Sequence, residues 1–283
     1  TAACGSFSKA AGAMNFTQSG ISHAINSLEG ELGVTLLSRN RGGVVLTADG
    51  RALLPQIEKL CAAHHTMMQT VESLKGMDSG LVKVATFSSV SFLWLPRILK
   101  SFGQIYPNIE FEVITGDYYE QIESWIVSGA VDCGFFRLPS TKHLQTYPLY
   151  RDELQVVVPC DHVYAQEDPF PASELAEEPF ILLEEGEDYE IMAAFDKLGI
   201  RPHVKYTARE DRTILAMVSE GLGISLLPRL MVSHSPLPVQ VCRAPLQFDR
   251  TIGIGVKDEK ALSKSTRLFV DYVRTWVAEN GDK

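Results

Sequence analysis

The sequence predicts a multidomain protein in which a helical segment with a winged helix-turn-helix is followed by a long linker helix and then by an α/β region. Three observations predict this order. Residues 1–47 contain two short helical patterns, a tight turn and a glycine-rich hairpin. Residues 48–78 carry apolar side chains at heptad spacing, and residues 81–283 alternate strand-like with helix-like patterns. A chain of 283 residues suits two or three such domains.

The composition is that of an ordinary folded protein. Hydrophobic residues make up 45% of the chain and charged residues 22%, values that argue against extensive disorder. The chain contains no run of about 18 apolar residues, and its N-terminus lacks the features of a signal peptide. We therefore expect a cytoplasmic protein with no membrane partner. Because Thr1 falls in a segment that resembles a helix, we expect the natural chain to begin upstream of it.

The cysteines are odd in number and widely scattered. None forms a C-x-x-C pair, and no cluster of histidine and cysteine has the spacing of a zinc site. We predict reduced and mostly buried thiols, no metal site and no cofactor. A peroxide-sensing thiol pair is the alternative. The cysteines are Cys4, Cys61, Cys133, Cys160 and Cys242.

The net charge of −9 is unevenly distributed along the chain. Through Arg51, four basic and three acidic residues give +1, which leaves −10 for the remainder. An acidic C-terminal part is expected to keep its distance from phosphates. The N-terminal segment is only weakly basic, so any affinity for DNA has to rely on the placement of contacts and on dimerisation.

Two capped helices are predicted around a tight turn. Ser6 stands where an N-cap is expected before a helix over residues 7–14, and Thr17 where one is expected before a second helix, which stops at Gly33. Helical spacing predicts a buried apolar stripe on the second helix. The stripe consists of Ile21, Ala24, Ile25, Leu28 and Leu32.

A polar face lies on the same helix. Short polar side chains, with Gln18 at the helix start, can hydrogen-bond to base edges and phosphates. The alternative is an ordinary amphipathic helix with a solvated face. The face consists of Ser19, Ser22, His23 and Asn26.

A wing is predicted at residues 36–46, where two apolar arms flank a basic, glycine-rich tip. Arg39 and Arg41 at this tip are predicted to contact phosphates or the minor groove. Two short helices followed by a wing favour the helix-turn-helix interpretation over a solvated helix.

The same residues resemble the signature of the LysR-type transcriptional regulators. Residues 5–11, 17–25, 28–39 and 46–50 follow the family pattern of GSFSxAA, SQxxxSxxIxxLExxLGxxLFxR and LTxxG. Three positions depart from this pattern: Gly20, His23 and Leu37. The resemblance implies a sequence-specific regulator of transcription that binds double-stranded DNA through residues 1–47. The predicted DNA contacts are Ser8, Lys9, Thr17, Gln18, Ser19, Ser22, His23, Asn26, Arg39, Arg41 and Thr47.

A heptad seam predicts a dimerisation helix over residues 48–78. From the capping residue Thr47 a helical pattern runs to about Lys75, and Pro55 is expected to bend it. In the family that the sequence resembles, the corresponding helix pairs subunits, which implies a homodimer or homotetramer. The alternative is a helix that packs on its own domain. The seam consists of Leu53, Ile57, Leu60, His64, Met67, Val71 and Leu74.

From Leu81 onward, the alternation of apolar strands and helices indicates βαβ units on a parallel sheet. The predicted strands are residues 81–85, 109–114, 131–136, 154–158, 180–183, 204–207, 223–228 and 251–256. The predicted helices are residues 90–102, 118–128, 188–198, 211–220 and 261–277. The resemblance implies a periplasmic-binding-protein-like, effector-binding domain over residues 81–283. Its lobe I would comprise residues 81–149 and about 250–283, and its lobe II about 150–249.

A small-molecule effector is expected between these lobes, where strand ends meet helix N-termini whose N–H groups favour anions. Helix caps and solvated loops are the alternative for each candidate. Arg137 is expected to bind a carboxylate of the effector and Asp117 a positive group, which favours a small carboxylate-bearing effector, such as an amino acid or a related amine. The candidates are Thr86, Ser88, Ser89, Asp117, Phe136, Arg137, Tyr189, Thr207 and Arg209.

The sequence motifs also bear on other classes of protein. An enzyme is disfavoured because the chain contains no G-x-S-x-G, no glycine-rich phosphate loop and no H-E-x-x-H. A solute-binding receptor would share the sensor fold, but it would carry a signal peptide and no helix-turn-helix. A redox-sensing regulator of the same fold stays open as an alternative.

Overall fold

The computed structural model describes the chain except for residues 3, 41–42, 75–78, 185–189, 234 and 282–283, and it leaves undescribed the side chains of residues 66, 69–70, 72–74 and 190. The chain divides into two compact units, Thr1–His64 and His65–Lys283. A search of the described helices finds none with the length and apolar character needed to cross a lipid bilayer.

The first unit is a helix-turn-helix with a two-stranded wing, as predicted. Ser6 caps the first helix by accepting a hydrogen bond from the backbone of Lys9 at 3.5 Å, and Thr17 caps the second. The second helix ends at Gly33, whose φ of 71° is a left-handed conformation that glycine adopts without strain. Thr1 lies ahead of the first helix and not within one. The elements are α1 (Phe7–Ala13), α2 (Gln18–Leu32), β1 (Leu37–Asn40), β2 (Gly43–Leu46) and α3 (Ala48–Leu74), of which α3 continues beyond this unit.

Only part of the predicted apolar stripe of α2 is buried in the core of the first unit. Ile21 is buried and Ile25 is half-buried, as predicted. The prediction is wrong for the other three stripe residues, because only the N-terminal half of α2 packs against α1 and β2. These exposed residues are Ala24, Leu28 and Leu32.

The start of α3 is fixed by Thr47 and Gly50. The Thr47 hydroxyl donates to the carbonyl oxygen of Thr35 at 2.5 Å and accepts a hydrogen bond from the Gly50 N–H at 2.9 Å. A Cβ atom on Gly50 would lie 2.2 Å from the carbonyl oxygen of Leu36, so that only glycine fits there without displacing backbone. The helix then runs to Leu74, close to the predicted end of the linker.

The second unit is α/β, as predicted. Its strands are β3 (Ser79–Thr86), β4 (Asn108–Thr115), β5 (Cys133–Leu138), β6 (Gln145–Pro159), β7 (Pro179–Leu183), β8 (His203–Ala208), β9 (Ser225–Pro228), β10 (Val239–Arg243) and β11 (Asp249–Val256). Its helices are α4 (Ser88–Leu93), α5 (Leu95–Ile105), α6 (Tyr119–Ser128), α7 (Glu174–Glu177), α8 (Glu190–Leu198), α9 (Asp211–Ser219), α10 (Arg229–Val232), a 3₁₀ turn (Glu259–Ala261) and α11 (Lys264–Asn280).

A single sheet runs through both lobes of this unit in the order β10-β6-β11-β5-β3-β4, with β9 also on β6. In the first lobe β3 pairs in parallel with β4 and β5, but β11 is antiparallel to β5 and β6, so the expectation of a wholly parallel sheet is wrong. Apolar patterns indicate a strand but not its direction, so the sequence did not reveal these antiparallel pairs. The long strand β6 joins the lobes, since its N-terminal part pairs with β11 and its C-terminal part with β9 and β10 of the second lobe. The parallel pair β7–β8 completes the second lobe.

The helix expected over residues 90–102 is two helices, α4 and α5, that meet at Trp94. Pro96 causes the break because it has no N–H to donate to the preceding turn. Strand β10 follows no pattern that was recognised in the sequence. Each lobe packs its own apolar core, the first around Phe102 and Phe135 and the second around Phe180 and Phe195.

The close approach of Gly50 to the Leu36 carbonyl predicts that a larger residue at position 50 lowers the stability of the first unit. Gly50→Ala is expected to destabilise the first unit by about 1–3 kcal/mol, since the new methyl group meets backbone that cannot move aside cheaply. The matched control is Gly30→Ala in α2, where nothing lies within 4 Å, so this change is expected to stabilise the helix by up to about 1 kcal/mol. Hydrogen exchange of amides in residues 1–64 measures both. Equal protection in the two variants would contradict the assigned contact.

Candidate DNA-binding surface and effector cleft

The N-terminus of α2 presents an exposed polar surface. Gln18 is exposed and its Oε1 accepts a hydrogen bond from the hydroxyl of Ser8 on α1 at 3.1 Å, so the two predicted contacts lie side by side. The hydroxyls of Thr17 and Ser19 lie 3.1 Å apart, and Thr17 also caps the helix. The other predicted contacts on the helices are the exposed Lys9, His23 and Asn26 and the half-buried Ser22.

The departure at Gly20 has a local effect. A Cβ atom on Gly20 would lie 3.1 Å from Thr17 Oγ1, tighter than an ordinary contact. The glycine therefore leaves room for the hydroxyl that caps α2.

The wing adds a positive charge to this surface. The Arg39 side chain is exposed, and its guanidinium lies 4.6 Å from the centre of the Phe7 ring, which holds the wing strand against α1. Arg41, the second predicted wing contact, lies outside the described residues. Thr47 is also among the predicted DNA contacts, but its hydroxyl is engaged at the start of α3. The sequence did not distinguish this capping role from a phosphate contact.

A cleft of about 310 Å³ opens between the two lobes of the second unit. Three of the predicted effector contacts line it: Ser88, Asp117 and Arg209. Four aromatic side chains also line it: Phe87, Phe92, Tyr118 and Tyr119. The charged groups that line it in addition are Glu210, Asp211, Arg212 and Arg250.

Five other predicted contacts are not in the described lining of the cleft. Thr86, Ser89 and Phe136 are fully buried. Arg137 is half-buried with its guanidinium 6.0 Å from the Tyr119 ring centre, and Thr207 is exposed on β8. Ser89 lies on α4 and accepts a hydrogen bond from the buried guanidinium of Arg250. Thr86 ends β3, and the next residue, Phe87, lines the cleft instead, because successive side chains at a strand end point to opposite faces. Tyr189 lies outside the described residues.

A buried ion pair lies behind the cleft, where the two lobes join. Arg250 on β11 is 3% exposed and Asp152 on β6 is 0% exposed, and the two residues are directly opposite in the antiparallel pairing. Arg250 Nε and Nη2 donate to Asp152 Oδ2 at 3.1 and 2.9 Å. Its Nη1 donates to the hydroxyl of Tyr119 at 2.7 Å, and Nη2 donates to Ser89 Oγ at 3.0 Å. The backbone N–H of Leu230 donates to Asp152 Oδ1 at 2.9 Å.

Asp211 lies at the start of α9 on the other side of the cleft and is 5% exposed. Ser88 Oγ donates to Asp211 Oδ2 at 3.2 Å, a hydrogen bond that joins the first lobe to the second. Burial raises the pKa of the Asp211 carboxyl, the charge of Asp152 adds to this, and Arg250 and the hydrogen bonds oppose it. Asp152, Asp211 and Arg250 were not among the residues predicted from the sequence. A charged residue beside an apolar strand, as at Asp152 and Arg250, is the signal that could have pointed to the pair.

All five cysteines are free thiols, but only Cys133 and Cys242 are buried, so the expectation of mostly buried thiols is wrong. Cys61 lies on an exposed face of α3 and Cys160 directly follows β6, where neither side chain is covered. Burial raises the pKa of the Cys133 thiol well above its ordinary value and also raises that of Cys242. A raised pKa suppresses the thiolate that reacts with peroxide, so neither buried cysteine suits a peroxide sensor. In the part of the chain that the structure describes, no group of histidine, cysteine, aspartate or glutamate side chains is arranged to hold a metal ion.

Comparison with known families matches both units. Residues 1–51 match the bacterial regulatory helix-turn-helix protein, lysR family, and residues 75–278 match the LysR substrate binding domain. The chain is similar to the probable HTH-type transcriptional regulator LrrA of Synechococcus elongatus, with 32% identity over 97% of this chain and 93% of that protein. It is also similar to the uncharacterized HTH-type transcriptional regulator YvbU of Bacillus subtilis, with 30% identity over 95% and 93% of the two chains.

Solved structures show the same fold. Full-length CbnR complexed with its target DNA, a protein with 21% identity, superposes with a TM-score of 0.73 over 97% of this chain and 95% of that one. HinK from Pseudomonas aeruginosa, a LysR family transcriptional regulator with 25% identity, superposes with a TM-score of 0.65 over 97% and 94%. Family matches over both units therefore agree with the winged helix-turn-helix and the two-lobed α/β unit. This chain belongs to the LysR family: it is a DNA-binding transcriptional regulator with an effector-binding domain, and it is not an enzyme.

Proposed function

We propose that this regulator binds specific sites on double-stranded DNA as a homo-oligomer, and that a small carboxylate-bearing molecule in the interlobe cleft controls it. The observation that supports the effector class is the pair of arginines, Arg209 and Arg212, on the second-lobe wall of the cleft. Because its target is chromosomal DNA, we place its action in the cytoplasm. The proposal includes no cofactor or metal.

The DNA-reading role rests on the exposed surface of α2 and the wing. Gln18 at the helix start can contact a base edge with its amide, and Ser8 holds that amide in place. Arg39, fixed against Phe7, provides a positive charge for the phosphate backbone.

These two roles predict different losses. Gln18→Ala is expected to cost about 1–3 kcal/mol of specific binding and to relax sequence preference. Arg39→Ala is expected to weaken specific and non-specific binding alike and to lower the slope against salt concentration by about 1. Fluorescence anisotropy with the gene's own upstream duplex and an unrelated duplex, at several salt concentrations, measures both. Equal loss on the two duplexes for Gln18→Ala would mean that the reading face is misassigned.

The oligomer rests on the seam of α3. Leu60 is 72% exposed and Met67 is 54% exposed, although they occupy seam positions, while Leu53 and Ile57 are half-buried. Apolar side chains at heptad spacing that the chain itself does not cover are suited to pair with the same helix of a second subunit. Of the other seam residues, Val71 and His64 are exposed, and the side chain of Leu74 lies outside the described ones.

The seam predicts the effect of added charge. The double change Leu60→Glu and Met67→Glu is expected to give monomers in sedimentation and to abolish operator binding, because two half-sites have to be engaged together. Ala52→Glu with Lys59→Glu is the matched control, since these exposed positions have the same spacing away from the seam. If the seam variant stays dimeric, the helix does not pair the subunits.

The proposed effector site depends on the guanidinium groups of Arg209 and Arg212, which can exchange their present contacts for a ligand. Arg209 pairs with Glu184 at 3.3 Å, but both side chains are largely exposed, so this pair is weak and can be exchanged for a ligand. Arg212 stacks on Phe92 across the cleft at 3.2 Å from the ring centre. Two guanidiniums on one wall provide bidentate donors for a carboxylate.

This site predicts a selective loss of binding. In calorimetric titration with a panel of carboxylate metabolites, at least one should bind the wild type, and Arg209→Ala with Arg212→Ala should abolish that binding. The control is Arg201→Ala, an exposed arginine of the same lobe that is not in the described lining of the cleft. DNA affinity without effector should not change in either variant. Unchanged metabolite affinity in the double variant would place the carboxylate elsewhere.

A further inference from the structure

The charges around the cleft do not balance in its buried part. We define the buried cluster as Arg250, Asp152 and Asp211, each at most 5% exposed. One guanidinium and two carboxylates leave a charge of −1 when both acids are ionised. Arg250 donates two hydrogen bonds to Asp152, and its charge also stabilises the Asp211 carboxylate, although burial outweighs this effect.

Asp211 is the acid of the buried cluster that forms no ion pair with a described residue. Among the described residues, its carboxylate has the Ser88 hydroxyl as a side-chain hydrogen-bond partner and forms no salt bridge with a lysine or arginine. A buried carboxylate that lacks a cation costs free energy, which it avoids by taking up a proton or by acquiring a cationic partner. Both outcomes agree with the raised pKa of the Asp211 carboxyl.

The walls of the cleft favour the cationic partner. Asp211 lines the cleft together with Phe87, Phe92, Tyr118 and Tyr119. Aromatic faces attract cations, and a carboxylate framed by aromatic side chains is a common way to bind an ammonium group. Cations of the protein already use two of these faces, because Arg212 stacks on Phe92 and the Arg250 guanidinium lies 5.2 Å from the Phe87 ring centre.

We propose that the effector also carries a cationic nitrogen, an ammonium or guanidinium group, and that Asp211 binds it and selects for it. This inference rests on the proposed function, in which the cleft is the effector site. Together with a carboxylate on Arg209 and Arg212, it makes the effector a small zwitterion. The other charged groups that line the cleft are Asp117 and Glu210.

The test variant is expected to fold. The pKa of Asp211 is raised in the folded protein, so its proton is lost at lower pH in the unfolded chain, and folding stability falls as pH rises through this interval. Asp211→Asn removes this pH-dependent loss of folding stability, and the amide oxygen of the new side chain can still accept the hydrogen bond from Ser88. At neutral pH its melting temperature should therefore equal or exceed that of the wild type.

The first experiment uses three probes of one length on the full chain: 5-aminopentanoate, 5-hydroxypentanoate and pentanoate. By calorimetry, the wild type should bind the amine at least about tenfold more tightly than the hydroxyl analogue. This preference should vanish in Asp211→Asn and persist in Asp196→Asn, the matched control, which is an exposed acid of the same lobe that is not in the described lining of the cleft. If the preference is missing in the wild type or survives in Asp211→Asn, the inference is wrong. Binding of pentanoate alone would then leave the proposed carboxylate site standing.

The second experiment needs no carboxylate probe. The ¹³C resonance of the Asp211 carboxyl is titrated with pH in methylammonium chloride and, at equal ionic strength, in potassium chloride. A bound ammonium stabilises the ionised carboxylate, so methylammonium should lower the apparent pKa of Asp211 in a dose-dependent way. An identical titration in the two salts would overturn the inference, because Asp211 would then respond to protons and not to an organic cation.

Discussion

The ion pair between Arg250 and Asp152 is the interaction on which the arrangement of the second unit depends. Removing these two charges from water costs several kcal/mol for each ion, and their mutual attraction offsets that cost only when the remaining donors and acceptors are satisfied. Tyr119, Ser89 and the Leu230 N–H provide such partners. The pair therefore needs both lobes in place, because its partners come from α4, α6 and α10 as well as from β6 and β11.

The position of the pair explains the geometry of the cleft. Strand β6 passes from the first lobe to the second, and Asp152 lies just before its pairing with β9 begins at Leu154. Arg250 holds the hydroxyls of Ser89 and Tyr119 on the first-lobe side, next to Ser88, which bonds to Asp211 of the second lobe. A molecule bound between the lobes can thus contact Ser88 and Tyr119, which lie close to the point where β6 passes from one lobe to the other. This connection gives effector binding a physical route to the relative position of the lobes.

Local chemistry made the first unit and the linker predictable. Caps at Ser6 and Thr17, a glycine at 33 and the heptad spacing of α3 act over a few residues, so the sequence alone indicates them. The exposure of Leu28 and Leu32 was not predictable, since helical periodicity indicates an apolar face but not which element covers it. Similarly, an apolar run at residues 154–158 indicates a strand without revealing that it extends to Gln145 and changes partners.

The cleft was predictable only in part, for a related reason. Ser88, Asp117 and Arg209 follow strands, and the rule that strand ends gather ligand contacts found them. Asp152, Asp211 and Arg250 come from distant parts of the chain, and their importance arises from burial and pairing that only the fold creates. The periodicity of a sequence predicts which face of a helix or strand a residue occupies. It does not predict which residue of another strand lies opposite, because that depends on the register between the two strands.

A double-mutant cycle measures how strongly the charges of Arg250 and Asp152 are coupled. Arg250→Met, Asp152→Asn and the double variant are unfolded in urea and followed by tryptophan fluorescence, which reports on the second unit because Trp94, Trp125 and Trp276 all lie in it. Each single change should lower the free energy of unfolding by about 3–5 kcal/mol, since it leaves an unpaired buried charge. The double change should cost clearly less than the sum of the two. Losses that add to within about 0.5 kcal/mol would show that the two charges are not coupled and that the second unit does not depend on this ion pair.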